Sequence, residues 1–392
     1  MIYFDNASTS FPKPYEVRRA VEEALAAVTS HARGVGAGTA AAGNLLYDLR
    51  EAAARFFGAD GPEGAVLTLN ATHALNIVIR GVLGRGGTAL VSGYEHNAVM
   101  RPLFALNRTA GVRILPARSR LFDDEAFLAA WKRGLGESPD LAILSAVSNV
   151  YGWILPWREA ARLAEKAGVP FLLDASQAAG HLPAGLSPGV SFLAAPGHKG
   201  LLGPAGTGLL ILGPGIRLPP LLFGGTGHDS ASRDMPPFPP ERFEAGTQNL
   251  PGAAGLLAGI RKVESLGLSS IARYEASLLA LAREELAGEK GIHTFFAGDA
   301  VRQSGLFSFV LPGEAPEETA AALAEAGFAV RAGLHCAPDA HRSAGNPEGS
   351  VRISFSCANT PGEVESLVSF LRERIRKKTA TEDAPPSKRD LQ

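Results

Sequence analysis

Two apolar runs that lead into reactive polar residues carry the clearest chemical signal of this sequence. Residues 171–173 lead into Asp174, and residues 190–195 lead into a turn, 196–200, that contains Lys199. Continuous apolar runs of this length are typical of strands buried in a parallel sheet. Because the carboxyl ends of such strands meet at one edge of the sheet, we expect the carboxylate of Asp174 and the amine of Lys199 to lie close together.

A lysine beside a strand-end carboxylate suits pyridoxal phosphate (PLP). This cofactor needs a lysine that bonds its aldehyde and a carboxylate that keeps its ring nitrogen protonated. The alternative is a surface lysine in a turn, since most lysines are exposed. The residues that surround the same sheet edge decide between the two interpretations.

Polar residues follow other apolar runs as well. They are Asn70, Ala71 and Thr72 after residues 65–69, His96 after 89–92, Asn149 after 141–147, and Gln177 shortly after Asp174. Free N–H groups of a strand-to-helix junction at Thr72 could hold a phosphate, although a helix N-cap without a ligand fits the same residues. His96 could lie flat on a cofactor ring or form only a loop hydrogen bond. Because ligands of open α/β sheets bind at strand ends, the coincidence predicts one site there.

A second reactive cluster lies near the carboxyl end of the sequence. Cys336 follows His335 and stands five residues after Arg331 in a glycine-containing turn, so it could be a reactive thiolate, whereas a buried structural cysteine is the alternative. Arg352 lies inside an apolar strand and must reach solvent or an anion, for which an amino-acid carboxylate is suitable. A zinc site of His335, Cys336 and His341 lacks a fourth ligand, so we predict no metal.

Composition excludes several classes of protein. The 392 residues are 46% hydrophobic and carry a formal net charge of −1, which gives no reason to expect a nucleic-acid or membrane partner. Two cysteines, Cys336 and Cys357, exclude a disulfide framework and fit a reducing cytoplasm. The first residues do not resemble a signal peptide, so we expect a cytoplasmic protein.

Apolar periodicity predicts an α/β fold in two domains. Helices and strands alternate in a large domain, residues 15–255, which predicts a mostly parallel sheet covered by helices on both faces. The strands predicted there are 65–69, 89–92, 141–147, 170–174, 190–195 and 207–212. Longer helices and short strands after residue 251 predict a smaller α+β domain formed by residues 1–14 and 256–378. The polar tail, 379–392, is expected to be disordered.

Together these residues resemble the class V group of PLP-dependent fold type I enzymes, and within it the cysteine desulfurases and selenocysteine lyases. The resemblance extends from the opening residues 3–9 to about residue 372. It implies a large domain with a seven-stranded sheet. Two positions depart from the family pattern: Pro196 replaces a serine or threonine that donates to the phosphate, and Leu334 replaces a histidine.

The resemblance also implies a role for each site residue. Lys199 bonds the cofactor, Asp174 pairs with its ring nitrogen, Gln177 and Asn149 lie near its ring oxygen, His96 stacks on the ring, Ala71, Thr72 and His198 contact the phosphate, and Thr247 completes the phosphate site of the partner subunit in a homodimer. For the substrate, Cys336 is the nucleophile, while Arg352, Arg331 and Asn149 bind it.

The implied function is a cytoplasmic, homodimeric transferase that removes sulfur from L-cysteine, gives L-alanine and holds the sulfur as a persulfide on Cys336. An acceptor protein could then take the sulfur. Three alternatives remain open at this point. The substrate could be selenocysteine, the enzyme could be another class V aminotransferase, lyase or epimerase in which Cys336 is incidental, or the chain could be a scaffold without cofactor.

Overall fold

The computed structural model of the chain describes residues 1–30, 35–227 and 231–382. The strands in these ranges are β1 Ile2–Tyr3, β2 Ala65–Thr68, β3 Thr88–Ser92, β4 Arg113–Ala117, β5 Leu141–Ser145, β6 Phe171–Asp174, β7 Phe192–Pro196, β8 Gly208–Leu212, β9 His293–Thr294, β10 Leu306–Val310, β11 Phe328–Ala329, β12 Arg331–Gly333 and β13 Ser350–Ser354. The α-helices are α1 Tyr15–Ala27, α2 Ala37–Phe57, α3 Ala71–Leu83, α4 Asn97–Ala110, α5 Asp124–Leu135, α6 Trp157–Lys166, α7 Leu250–Leu266, α8 Leu268–Glu285, α9 Pro316–Glu325, α10 Pro338–Ser343 and α11 Pro361–Glu382.

Seven strands form the large sheet, in the order β2-β8-β7-β6-β5-β3-β4. All neighbours are parallel except β8, which runs antiparallel to β2 and β7. The predicted mostly parallel sheet is therefore confirmed. The sequence pattern missed β4, because this half-exposed edge strand contains Arg113 and Pro116 and lacks a continuous apolar run.

Alternating side chains of the sheet face two separate apolar cores. Leu144 and Leu173 belong to the core on one face, together with residues of α2, α5, α6 and α7, whereas Ile143 and Leu172 belong to the core on the other face, with α3 and α4. Both faces are thus buried, which is why the central strands read as continuous apolar runs.

A smaller antiparallel sheet, β12-β13-β10-β9, packs against α8, α9 and α11. The amino terminus joins this part of the chain, because β1 pairs with β11 and Phe4 is fully buried in the same core. The predicted division at residue 255 falls inside α7, whose residues Leu256 and Ile260 both pack in the large core. The division into two domains stays a prediction.

The predicted tail begins too early. Helix α11 continues to Glu382, so its end overlaps the first four residues of the segment 379–392, and the remainder lies outside the described residues. The helix continues because residues 372–378, predominantly arginine and lysine, have good helix propensity. Across the parts of the chain that the structure describes, none of the helices combines the length and the apolarity needed to span a membrane.

Candidate active site

A cavity of about 230 Å³ opens at the carboxyl ends of β3, β5, β6 and β7, where β12 and β13 of the smaller sheet approach. The predicted site residues that line it are Ala71, Thr72, His96, Asn149, Asp174, Gln177, His198, Lys199, Arg331 and Arg352. The parallel pairing of β3, β5, β6 and β7 brings these distant positions to one edge. We call the four that follow central strands, His96, Asn149, Asp174 and Lys199, the strand-end site.

Lys199 stands in a tight turn after β7. The backbone N–H of Leu202 donates to the Lys199 carbonyl at 2.8 Å, and a Cβ atom added at Gly197 would overlap the side chain of Thr207. Residue 197 must therefore be glycine, because any side chain there would overlap Thr207. Burial lowers the pKa of Lys199 to about 8, and the charge of Asp174 opposes this shift. A neutral, nucleophilic amine is thus accessible near neutral pH.

Asp174 ends β6 and is only 3% exposed. Its Oδ1 accepts a hydrogen bond from the backbone N–H of Ser176 at 2.9 Å, which fixes the carboxylate at the sheet edge. The side chain also lines the cavity. This arrangement provides a fixed negative charge for a cationic ring nitrogen.

His96 is the N-cap of α4, because its Nδ1 accepts a hydrogen bond from the backbone N–H of Ala98 at 3.0 Å. The ring proton is therefore on Nε2. Burial lowers the pKa of His96 to about 4, and the neighbouring charge of Lys199 lowers it further in the same direction. The imidazole is neutral at physiological pH and can lie against an aromatic ring.

The start of α3 presents backbone amides that suit an anion. The side chain of Asn70 accepts the backbone N–H of His73 at 2.9 Å, so the first amides of the helix, at Ala71 and Thr72, stay available beside the cavity. His198 lines the same cavity, and burial lowers its pKa to about 4. Helix N-terminal amides bind phosphate groups in many proteins.

The amino-terminal segment braces the turn of Lys199, which the sequence analysis missed. The carbonyl oxygen of His198 accepts hydrogen bonds from Thr9 Oγ1 at 3.0 Å, from the Ser10 backbone at 3.0 Å and from Lys13 Nζ at 2.6 Å. The Ala7 carbonyl accepts from the Gln177 side chain at 3.0 Å. The polar run 5–10 was the only local signal for these contacts.

Two arginines meet on the side of the cavity that the smaller sheet provides. Arg331 and Arg352 are opposite each other in the β12–β13 pair. Arg352 is 1% exposed, and its Nη2 lies 2.7 Å from Asp5 Oδ1, while its Nη1 donates to the Asn149 carbonyl at 2.9 Å. Arg352 was expected to reach solvent or an anion, and in the structure this anion is the carboxylate of Asp5. Burial lowers the pKa of Arg352, and the charge of Asp5 opposes this.

Cys336 lies beside this cavity, in a segment, residues 331–337, that we call the cysteine rim. Its Sγ is 3.5 Å from Arg331 Nη2, and its carbonyl accepts the backbone N–H of Asn97 at 2.7 Å. The preceding carbonyl, of His335, accepts from the Asn149 side chain at 2.8 Å. Both His335 and Cys336 have left-handed backbone angles, with φ of 49° and 56°, so these contacts hold a strained turn in place.

The sequence model of the family described as aminotransferase class-V matches residues 2–367. This chain belongs to the aminotransferase class-V family. The resemblance and the fold class predicted from the sequence are confirmed.

Curated members of this family are similar along nearly the whole chain. A probable cysteine desulfurase of Pyrococcus abyssi is 33% identical over 390 residues, which cover 96% of this chain and 94% of the relative. A probable cysteine desulfurase of Methanothermobacter thermautotrophicus is 32% identical over 384 residues, covering 95% of this chain and 94% of the relative.

Solved structures give the same result. The apo structure of a cysteine desulfurase from Thermococcus onnurineus superposes with a TM-score of 0.89 at 32% identity, covering 96% of this chain and 95% of that one. A cysteine desulfurase from Escherichia coli, with an S-sulfonic acid, superposes with a TM-score of 0.82 at 28% identity, covering 96% and 94%.

Enzymes of the class V family use PLP, and the chemistry of this cavity fits that cofactor. The helix amides at Ala71 and Thr72 suit its phosphate, the carboxylate of Asp174 suits its ring nitrogen, and the buried amine of Lys199 suits its aldehyde. The neutral ring of His96 suits its aromatic face.

Thr247 stands apart from the other predicted site residues. It lines a neighbouring cavity of about 160 Å³, together with Thr68, His73 and Gln248, and it does not line the cavity of Lys199 in its own chain. Its role across a dimer stays a prediction.

Proposed function

We propose that this chain is a PLP-dependent cysteine desulfurase, which converts L-cysteine to L-alanine and holds the released sulfur as a persulfide on Cys336. The observation that carries the proposal is the position of Cys336 Sγ, 3.5 Å from Arg331, whose side chain lines the same cavity as Lys199 and Asp174. A thiol at the edge of an amino-acid site can reach the sulfur of a bound cysteine. The names of the relatives support the same activity.

When bound, PLP supplies an electron sink that stabilises negative charge on the substrate's Cα. The residues proposed to hold it are those of the strand-end site, with Gln177, His198 and the start of α3. Asp174 would keep the proton on the ring nitrogen through its negative charge. His96 would cover the ring, and the α3 amides would bind the phosphate.

Lys199 and the arginines act on the substrate. The neutral amine of Lys199 takes the Cα proton as general base, for which a pKa of about 8 is well matched to neutral pH. Arg352 and Arg331 bind the substrate carboxylate. This contact orients the substrate and so determines which bond at Cα breaks.

Cys336 then receives the sulfur. Its thiolate attacks the substrate sulfur, so that an S–S bond forms while the Cβ–S bond breaks and the carbon keeps the bonding electrons. Protonation of the carbon gives alanine. One cysteine and one enzyme thiol thus yield one alanine and one enzyme persulfide, and no external oxidant is needed.

We further propose that the enzyme is a cytoplasmic homodimer, that Thr247 completes the phosphate site of the partner subunit, and that a protein acceptor takes the persulfide sulfur. The position of Thr247 outside its own chain's cavity supports a contribution across an interface. Exposed apolar side chains that line that neighbouring cavity, Leu69 and Leu222, are suitable for burial in such an interface.

The test is product formation from L-cysteine by the PLP-loaded enzyme with a reductant, measured as alanine and sulfide. We expect Cys336→Ala to lose both products and Cys357→Ala, the matched control, to keep them. Borohydride reduction followed by peptide mapping should find the cofactor on Lys199. Full turnover in Cys336→Ala would reject the nucleophile, and a wild-type enzyme that makes no alanine would reject the function.

A further inference from the structure

Ser8 is a cavity residue that the mechanism above does not use. Its hydroxyl donates to Asp5 Oδ1 at 2.8 Å and accepts from Arg331 Nη1 at 3.1 Å and from Arg352 Nη2 at 2.9 Å. A serine hydroxyl has one proton to donate and two lone pairs that accept. These contacts use all three, so the orientation of the hydroxyl is completely determined.

The two arginines that meet at Ser8 repel each other. They are direct register partners on antiparallel strands, and like charges in opposite positions of such a pair are destabilising. Asp5 contributes one negative charge, so the three charged side chains together carry one positive charge. The Ser8 hydroxyl donates to the Asp5 carboxylate and accepts from both guanidinium groups. It therefore connects the two arginines to that single carboxylate.

The net positive charge of this group of side chains is suited to bind an anion. The Nε of Arg352 is buried and has no hydrogen-bond partner among the described residues, although the side chain lines the cavity. Arg331, which Ser8 contacts through Nη1, reaches Cys336 Sγ through Nη2. The Ser8 hydroxyl therefore holds both Arg331, which lies next to the Cys336 thiol, and Arg352, whose Nε remains a free donor for a ligand.

We propose that Ser8 is a positioning residue, which fixes Arg331 and Arg352 in one register so that they bind a small carboxylate beside Cys336. For the carboxylate of L-cysteine, the inference rests on the proposed function. Loss of the hydroxyl leaves Arg331 without its link to Asp5, and repulsion then separates the two guanidinium groups. Anion binding should weaken, while the contacts of Lys199 and Asp174 stay unchanged.

The test compares two alkylating reagents on the PLP-loaded enzyme. Iodoacetate carries a carboxylate and iodoacetamide does not, so the ratio of their rates at Cys336 reports anion recognition next to the thiol. Cys357, on the same chain, provides the reference ratio, and mass spectrometry of the two peptides separates the sites. We expect the wild-type ratio at Cys336 to exceed that at Cys357.

Substitution at Ser8 should remove this preference. We expect Ser8→Ala to lower the ratio at Cys336 about tenfold, equivalent to about 1.4 kcal/mol. Threonine and valine have nearly the same shape, but only threonine has a hydroxyl. Ser8→Thr should therefore keep the ratio within about twofold, and Ser8→Val should lose the preference. Ser366→Ala, an exposed serine of α11 far along the chain, is the matched control and should behave as wild type.

Kinetics give a second readout. Ser8→Ala should raise KM for L-cysteine about tenfold with kcat within about threefold, because a positioning role acts on carboxylate binding. An unchanged alkylation ratio in Ser8→Ala or Ser8→Val would overturn the inference, as would a wild-type Cys336 without anion preference. The alkylation result does not depend on turnover, so failure of the desulfurase proposal and failure of this inference are distinguishable.

Discussion

The strand-end site and the cysteine rim face the same cavity but are held in different ways. Asp174 and Lys199 follow central strands of a sheet buried on both faces, so their positions are set by the core itself. Cys336 lies in a left-handed turn and is contacted by Asn97 and Arg331, while Asn149 holds the preceding carbonyl, of His335. The first region is fixed by the packing of whole strands, whereas in the second only flanking residues such as Ala337 pack in the core, and the half-buried Cys336 depends on a few hydrogen bonds.

The largest effect should come from the strand-end site. Replacement of Asp174 by asparagine keeps the shape and removes the charge that holds the proton of the ring nitrogen. We expect Asp174→Asn to lower kcat for alanine formation about a thousandfold, or about 4 kcal/mol of transition-state stabilisation. Asp60→Asn, at an exposed position, is the control. A loss below about tenfold would contradict the role of Asp174.

Sequence patterns predicted the first region much better than the second. Each strand-end residue follows an apolar run, so a local pattern identified Asp174 and Lys199; the strand before Asp174 ends where predicted, and the strand before Lys199 ends one residue later than predicted. Ser8 had no such pattern, because its partners Arg331 and Arg352 lie 323 and 344 residues away in the sequence. Cys336 was identified by residue type and resemblance, but its left-handed backbone and its contact with Asn97 arise only in the folded chain.

Glu95 is a further residue of the sheet edge that sequence patterns did not identify as special. It is 1% exposed, and its carboxylate accepts hydrogen bonds from Ser92 Oγ at 2.5 Å and Ser145 Oγ at 2.7 Å. Burial raises the pKa of Glu95 from its ordinary 4.5 to about 7, while the two serines oppose the shift. The folded protein therefore holds a proton that the unfolded chain releases between these pH values.

Stability should consequently fall as pH rises from 4.5 to 7, because the folded state binds the extra proton in that range. Glu95→Gln cannot ionise, so its free energy of unfolding relative to wild type should improve between pH 5 and pH 8, by on the order of 2 kcal/mol. Urea unfolding of both proteins at the two pH values measures this. If the free energies of unfolding of the two proteins differed by the same amount at both pH values, Glu95 would not titrate in this range.

The smallest effect, and the sharpest comparison, is expected from the cysteine rim. Asn97 is the first residue of α4, where its N–H has no partner within the helix and instead donates to the Cys336 carbonyl at 2.7 Å. Proline is tolerated at this helical position, and the preceding residue, His96, already has the extended backbone that proline requires, with φ of −74° and ψ of 156°. Asn97→Pro therefore keeps the helix but removes the hydrogen bond, and its Cδ takes the space next to the Cys336 carbonyl oxygen, so the turn at Cys336 must shift.

We expect Asn97→Pro to lower alanine formation about tenfold, since the strained turn at Cys336 loses one of its few restraints. Asn97→Ala keeps the N–H and should stay within about twofold of wild type. Thermal unfolding should be nearly the same for the two variants, because the apolar cores of the large sheet are untouched. If the proline variant were as active as the alanine variant, the hydrogen bond from Asn97 would not be needed to position Cys336, and the rim would be held as firmly as the strand-end site.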